Sequence, residues 1–270
     1  MRRPVITLLT DFGLADHYVA AMKGVILTIC PTAELIDISH DVTPFAISEA
    51  AFTLSQTWQY YPKGAVHLAV VDPGVGSSRR AIVAEVDGHR FVAPDNGLLS
   101  MVLEGQTGTK LREITATRYF RATVSSTFQG RDIFAPVAAH LARGVPASKF
   151  GKTVADPVRG GFTKPTQLNQ TRWLGTVLKI DRFGNIISNF EWEAFRNIAV
   201  APFRLKVGRR VVARFYATYA DAPDGRFFAL RGSSGYIEVS LNQSDAAGKL
   251  GLISGSPIEL SMPDFARPLA

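Results

Sequence analysis

Val70-Val71-Asp72-Pro73-Gly74-Val75-Gly76-Ser77-Ser78-Arg79-Arg80 is the stretch on which the fold turns. An apolar run from Ala65 to Val71 ends abruptly in a carboxylate, and a loop of small residues follows. The pattern predicts a buried strand that delivers an acid into a crevice, with room for a ligand to come close. In open α/β sheets, ligands bind beyond the carboxyl ends of the strands. Asp72 and Arg79 lie across a tight loop, near enough in sequence to meet. Such a pair serves equally well in a site or as an ion pair pinning a turn, because structural networks also gather charges.

Toward the N-terminus, Val5 to Thr10 is a first β-branched apolar run, and it too ends in an acid, Asp11, within T-D-F-G-L-A-D. A helical pattern of apolar residues runs from Tyr18 to Ile29, with Asp16 before it as the expected N-cap and Pro31 as the stop. Ala33 to Ser39 reads as a second strand and Ile47 to Tyr60 as a second helix. Past the central loop, Ala81 to Asp87 and His89 to Ala93 read as strands joined by the Asp87-Gly88 turn, the second running into Pro94-Asp95-Asn96-Gly97. Helical patterns begin at Leu98 and at Asp132, the latter closed by Gly144. Alternating strands and helices predict an α/β domain, a mostly parallel sheet with helices on both faces, over residues 1–155.

From Gly151 to Thr171 the apolar content falls, and residues 156–171 read as a linker. Beyond it, short β-type runs separated by glycines predict a small all-β, barrel-like domain over residues 172–270.

A single cysteine, Cys30, excludes an internal disulfide framework and fits a reducing, cytoplasmic compartment. No uncharged apolar run approaches the roughly 18 residues of a membrane span. The N-terminal residues carry no apolar core of signal-peptide length. The formal charge of +7 invites a nucleic-acid reading, but the charges are spread along the chain. The densest cluster, Arg204, Lys206, Arg209, Arg210 and Arg214, alternates with apolar residues as a solvated sheet face does. Neither a nucleic acid nor a membrane is therefore an expected partner.

Carboxylates gathered at strand ends (Asp11, Asp72, Asp95) suit a polyol or a cation better than a phosphate, and neither phosphate-loop signature is present. The five histidines are scattered without a zinc spacing, so no metal site is expected. There is no G-x-S-x-G elbow, and Gly232-Ser233-Ser234-Gly235 is a turn by default.

Five stretches occur together and in order: Thr10 to Asp16, Val70 to Arg80, Ser126 to Asp132 (S-T-F-Q-G-R-D), Ile180 to Asn185 (I-D-R-F-G-N) and Gly232 to Asn242 (G-S-S-G-Y-I-E-V-S-L-N). In this combination the sequence resembles the adenosine-forming S-adenosyl-L-methionine hydrolases, hydroxide adenosyltransferases related to bacterial fluorinase and chlorinase. The resemblance covers nearly the whole chain. It implies hydrolysis of S-adenosylmethionine to adenosine and L-methionine, no cofactor, and a homotrimer. In that assembly each active site combines the N-terminal domain of one subunit with the C-terminal domain of the next.

The resemblance also implies roles. Asp72, Arg79 and Gln129 form the catalytic set. Asp11 holds the ribose hydroxyls, a task that suits two acceptor oxygens. Phe45 and Phe128 are apolar walls. Phe183 and Asn185 contact the nucleoside from a neighbouring subunit, Asp181 and Ser233 approach the methionine end, and Glu238, Leu241 and Asn242 border the adenine. Phe12, Asp16, Asn96 and Tyr236 complete the substrate-binding set.

Halide-using relatives carry an aromatic at the Asp72 position and lack the arginine, so water is the implied nucleophile. Hydrolytic members have histidine in T-F-H-G-R-D, where this chain has Gln129. Histidine can accept a proton and a glutamine side chain can only hydrogen-bond. The expectation is normal substrate binding with slow turnover. Alternatives are a binding protein for adenosine or S-adenosylmethionine that has lost catalysis, or a halide-dependent adenosyltransferase.

Overall fold

The computed structural model describes residues 3–262. The chain divides into two compact units between Gly160 and Gly161.

The first unit runs β1 (Val5–Thr10), α1 (Tyr18–Ile29), β2 (Glu34–Ser39), α2 (Ile47–Ser55), β3 (Val66–Val70), β4 (Ala81–Val86), β5 (His89–Pro94), α3 (Ser100–Leu103), β6 (Lys110–Glu113) and α4 (Ala135–Ala142). Its sheet has the order β2-β1-β3-β5-β4-β6. Side chains alternate between two cores, as the period of a strand requires. On one face Ile6, Leu8, Leu68 and Val70 pack with Met22 and Ile26 of α1 and Val137 and Leu141 of α4. On the other, Leu9, Ala69, Val71 and Phe91 pack with Leu54 of α2 and Val102 of α3. Each buried aliphatic side chain is worth about 1.5–3 kcal/mol. A one-residue slip would move every strand residue to the wrong face, so the register is firmly set.

The sheet is mixed, so the expected mostly parallel arrangement is met only in part. β2, β1, β3 and β5 pair in parallel, while β4 runs antiparallel to both β5 and β6. The reason is the Asp87-Gly88 turn. Both residues have positive φ, 45° and 76°, as a two-residue hairpin of the primed type requires. Such a turn can only return the chain antiparallel.

Local expectations shift in three further places. His17, not Asp16, precedes the first turn of α1, and it makes no side-chain capping bond. The helical stretch around Asp132 opens as a π-helical turn, Gly130–Phe134, before α4. Residues 166–169, within the segment read as linker, form β7 (Thr166–Asn169), which pairs with β8 (Arg172–Ile180).

The second unit continues with β9 (Ile186–Glu191), α5 (Trp192–Phe195), β10 (Arg204–Val207), β11 (Arg210–Val212), β12 (Phe227–Arg231), β13 (Tyr236–Leu241), α6 (Ala246–Leu250) and β14 (Pro257–Ser261). The sheet order is β11-β10-β14-β8-β9-β13-β12. The sheet nearly closes. β11 ends at Val212, and the segment after it turns to β12. There the N–H of Tyr216 donates to the carbonyl of Ala229 at 3.0 Å, and the N–H of Ala229 to that of Arg214 at 2.8 Å. Val177, Ile186, Phe190, Leu205, Val239 and Leu260 fill the interior. Arg204 and Lys206 alternate with buried Leu205 and Val207 on an exposed face. Among the described residues no helix is long and apolar enough to cross a membrane.

Candidate active site

In the first unit, the strand ends deliver the acids as a short-loop α/β sheet must. Asp72 follows β3 by two residues, and its side chain is 5% exposed. Arg79 Nε lies 3.0 Å from each carboxylate oxygen. Arg79 Nη2 donates both to Asp72 Oδ2 and to Gln129 Oε1. The guanidinium also sits 5.2 Å over the ring of Phe134. Arginine's planar fork suits this task, since one group reaches three acceptor atoms at once. With Oε1 engaged, the Gln129 amide offers N–H donors elsewhere and no proton acceptor.

The glycines of the central loop have a definite purpose. Gly76 has φ +80°, and a Cβ there would stand 2.7 Å from the carbonyl oxygen of Ser126. Only glycine lets this loop seat against the segment that carries Phe128 and Gln129. That segment is itself tied down from below by Asp132, which is buried. Asp132 accepts from Arg131 Nε at 2.7 Å, Arg121 Nη1 at 3.1 Å and the Ser125 N–H at 2.8 Å. Burial pushes the Asp132 carboxyl up, but these donors outweigh it and hold it below the usual carboxylate value.

Asp11 lies near Asp72. Burial raises its pKa, the hydrogen bond from the Phe45 N–H at 2.9 Å opposes this, and the charge of Asp72 adds to the rise. Phe45 is 70% exposed and has φ +68°. A left-handed backbone at a bulky residue is a strained state that the surroundings must hold. Phe12, Tyr18 and Phe128 form an aromatic cluster, with ring centroids 5.0 to 6.2 Å apart. The His17 ring lies tilted against Tyr18 at 4.6 Å, and Arg131 covers Phe128 at 4.8 Å.

Two expected site residues behave differently. Asp16 is exposed in the loop before α1. Asn96 is a fastener: its Nδ2 donates to the Val71 carbonyl at 2.9 Å and its Oδ1 accepts from the Leu98 N–H at 3.2 Å. Asp95, the third strand-end acid, is buried and bound to Arg80 Nε at 2.8 Å and the Val158 N–H at 2.9 Å. It is a structural member, and among the described residues no cluster of three or more metal-ligating side chains forms.

In the second unit, the β8–β9 turn is built around Asp181. Its carboxylate accepts from the N–H groups of Phe183 and Asn185 and from Asn185 Nδ2, each at 2.9 Å. Gly184, at φ +83°, admits Asp245, whose Cα would be 2.7 Å from an added Cβ. The result is a stiff turn displaying Phe183, which is 77% exposed. Glu238, buried on β13, accepts hydrogen bonds from the Tyr219 hydroxyl and, at 3.1 Å, from Ser240. Burial raises its pKa, these donors lower it, and the Asp181 charge raises it. Asp181, Tyr219 and Glu238 are therefore neighbours. Asn242 Nδ2 donates to the Ala222 carbonyl and to Asp224, each at 3.0 Å. Tyr236 and Leu241 are buried on β13, and Ser233 is exposed in the turn before it.

Tyr18 and Tyr219 are not among the site residues expected from the sequence. Tyr18 looked like one more apolar position in a helical pattern. Tyr219 lies 19 residues from Glu238, and no local spacing links them.

Residues 6–151 match the SAM hydroxide adenosyltransferase N-terminal domain and residues 175–259 the corresponding C-terminal domain. A relative from Thermus thermophilus named (R)-S-adenosyl-L-methionine hydrolase is 40% identical over 265 residues, covering 96% of this chain and 99% of its own. More distantly, a fluorinase from Nocardia brasiliensis is 26% identical over 97% of this chain and 98% of its own. The crystal structure of an uncharacterized conserved protein from Thermotoga maritima superposes with a TM-score of 0.83 at 38% identity, covering 95% of this chain and 99% of that one.

Proposed function

The chain belongs to the SAM hydroxide adenosyltransferase family, and we propose that it hydrolyses S-adenosyl-L-methionine to adenosine and L-methionine. The relatives of similar length that carry the (R)-S-adenosyl-L-methionine hydrolase name support this. The observation that carries it is the Asp72–Arg79–Gln129 constellation, set beside Asp11.

The oxygen of water attacks the ribose C5′ in line with the sulfonium. The C5′–S bond breaks, and its electron pair stays on sulfur as a neutral thioether. The leaving group needs no proton, so neither a general acid nor a cofactor is required. One proton leaves the attacking water. Asp72, held by Arg79, orients the water, and Asp11 accepts the ribose hydroxyls against the walls formed by Phe45 and Phe128. Positioning of this kind can supply a large share of the barrier reduction. Gln129 hydrogen-bonds but takes no proton, so the proton departs without a positioned imidazole, and turnover is slow.

Asp181, Phe183, Asn185, Ser233 and Glu238 complete the site from a neighbouring subunit of a homotrimer. The exposed Phe183 on a stiff turn and the exposed Phe45 are apolar surfaces for which such an assembly supplies cover.

The test is adenosine release from each sulfonium epimer of S-adenosylmethionine, for this chain and for Gln129→His. Adenosine is expected from both, with the histidine form faster by about 10²–10⁴-fold, the usual worth of a general base. Equal rates would remove Gln129 from the proton's path. No turnover by either, with adenosine still bound, would make the chain a binding protein. Product that forms only with added halide would overturn hydrolysis.

A further inference from the structure

We infer that His40 is a positioning residue that fixes the Asp11 carboxylate and the Phe45 backbone for the nucleoside, by clamping the Thr10–Gly13 turn to the end of β2. This rests on the reading of Asp11 as the ribose contact. β1 and β2 are parallel neighbours, so their carboxyl ends open side by side and nothing in the ladder holds the turns beyond them. His40, one residue past β2, holds them in two ways. Its Nδ1 lies 2.8 Å from the Thr10 hydroxyl, and its carbonyl accepts from the Gly13 N–H at 2.8 Å. These bonds bracket Asp11 and Phe12. A third bond closes the ring, since the Phe45 N–H donates to Asp11 Oδ2 at 2.9 Å.

The clamp is oriented from behind. The β1–β2 register shifts between Leu8 and Leu9, which face Asp37 and Ser39. Residues three apart in a regular strand point to opposite faces. The bulge brings Asp37 and His40 to the same side, a recognised use of bulges near active sites. His40 Nε2 then stands 3.0 Å from Asp37 Oδ1, close enough for an electrostatic contact with the ring although not aligned as a hydrogen bond. Asp37 is in turn held by Lys23 Nζ at 2.6 Å. The carboxylate draws the imidazole N–H to Nε2 and leaves Nδ1 to accept from the Thr10 hydroxyl. That hydroxyl oxygen takes the Phe12 N–H at 3.2 Å. Thr10 and His40 are both buried, and the chemistry proposed above uses neither.

Adenosine titration calorimetry and steady-state kinetics on the full chain test this, with Thr10→Val, Thr10→Ser, His40→Leu and the Thr10→Val/His40→Leu double variant. Thr10→Val and His40→Leu are each expected to weaken adenosine binding about tenfold, the order of one hydrogen bond. They should raise KM for S-adenosylmethionine by a similar factor and leave kcat within about threefold. Thr10→Ser keeps the hydroxyl and should keep the affinity. The double variant should bind no worse than the weaker single, because both break one link. Unchanged affinity in folded Thr10→Val, failure of Thr10→Ser to rescue, or a fall in kcat with KM unmoved would each overturn the clamp. Should His40→Leu fail to fold, the valine and serine forms at position 10 decide alone. If the unmodified chain binds no adenosine, the functional reading falls and takes the clamp with it.

Discussion

Arg79 reaches three oxygen acceptors from one planar group, two on Asp72 and one on Gln129. A lysine at this position is a point charge on a flexible stem and cannot span them. Arg79→Lys is therefore expected to lower adenosine release by about 10- to 100-fold, while adenosine itself binds as before because no ribose contact is touched. The check is single-turnover adenosine release beside calorimetry. A rate within twofold of the parent would show that charge alone suffices. Asp72 behaves differently on truncation. Removing one partner of a buried ion pair leaves the other charge uncompensated and costs about 3–5 kcal/mol. Asp72→Ala should therefore lower the melting temperature as well as the rate, which thermal denaturation beside the adenosine assay would show. The Asp72–Arg79 pairing was readable because seven residues across a tight turn leave few other arrangements. The partnership with Gln129, 50 residues away, was implied by the family resemblance and not by any local spacing.

The loop after β3 and the segment from Ser125 to Gly130 act as one element, since the first seats on the backbone of the second. Gly76 is the point of approach. An alanine there meets both a left-handed backbone and a carbonyl oxygen at 2.7 Å. Strain of this kind costs about 1–3 kcal/mol. Gly76→Ala is expected to lose that much stability and to slow adenosine release at least tenfold, because Gln129 moves with its segment. A variant that melts lower yet turns over normally would uncouple the two loops. The P-G-V-G composition predicted a close approach, but not that the approaching group is the protein's own backbone. The helical pattern from Asp132 onward was likewise legible, whereas its π-helical opening was not. That opening carries Asp132, which is bonded to Arg121 eleven residues upstream.

Across the whole first unit, the acid response is set by buried histidines. His67 bridges the Thr7 hydroxyl at 2.9 Å and His89 at 3.1 Å. Burial, with the neighbouring His89 adding to it, lowers its pKa to about 3. The unfolded chain takes up that proton near the ordinary value of 6.5. Between about 6.5 and about 3 the unfolded state therefore binds more protons, and stability falls as pH falls. Asp132, with its lowered pKa, adds a further loss below the ordinary 3.8. In the second unit Glu238 has the opposite sign: its raised pKa adds stability as pH falls toward 4.5. The protection of the β1 and β3 amides against hydrogen exchange, corrected for the intrinsic exchange rate at each pH, should fall from pH 7 to pH 4, and His67→Gln should flatten that dependence. An equally steep profile in the variant would assign the acid lability elsewhere.

The sequence by itself determined the alternating strands and helices of the first unit, the change to β structure in the second, and the acids at the strand ends. Those features rest on apolar period, run length and turn chemistry, all of which act within about a dozen residues. Only the tertiary structure decided that the Asp87-Gly88 hairpin makes the sheet mixed, that Asp95 belongs to Arg80, that Tyr219 bonds Glu238 and that His40 bonds Thr10. These depend on which side chains meet after packing, and hydrogen bonds between residues far apart in sequence leave no periodic trace in it.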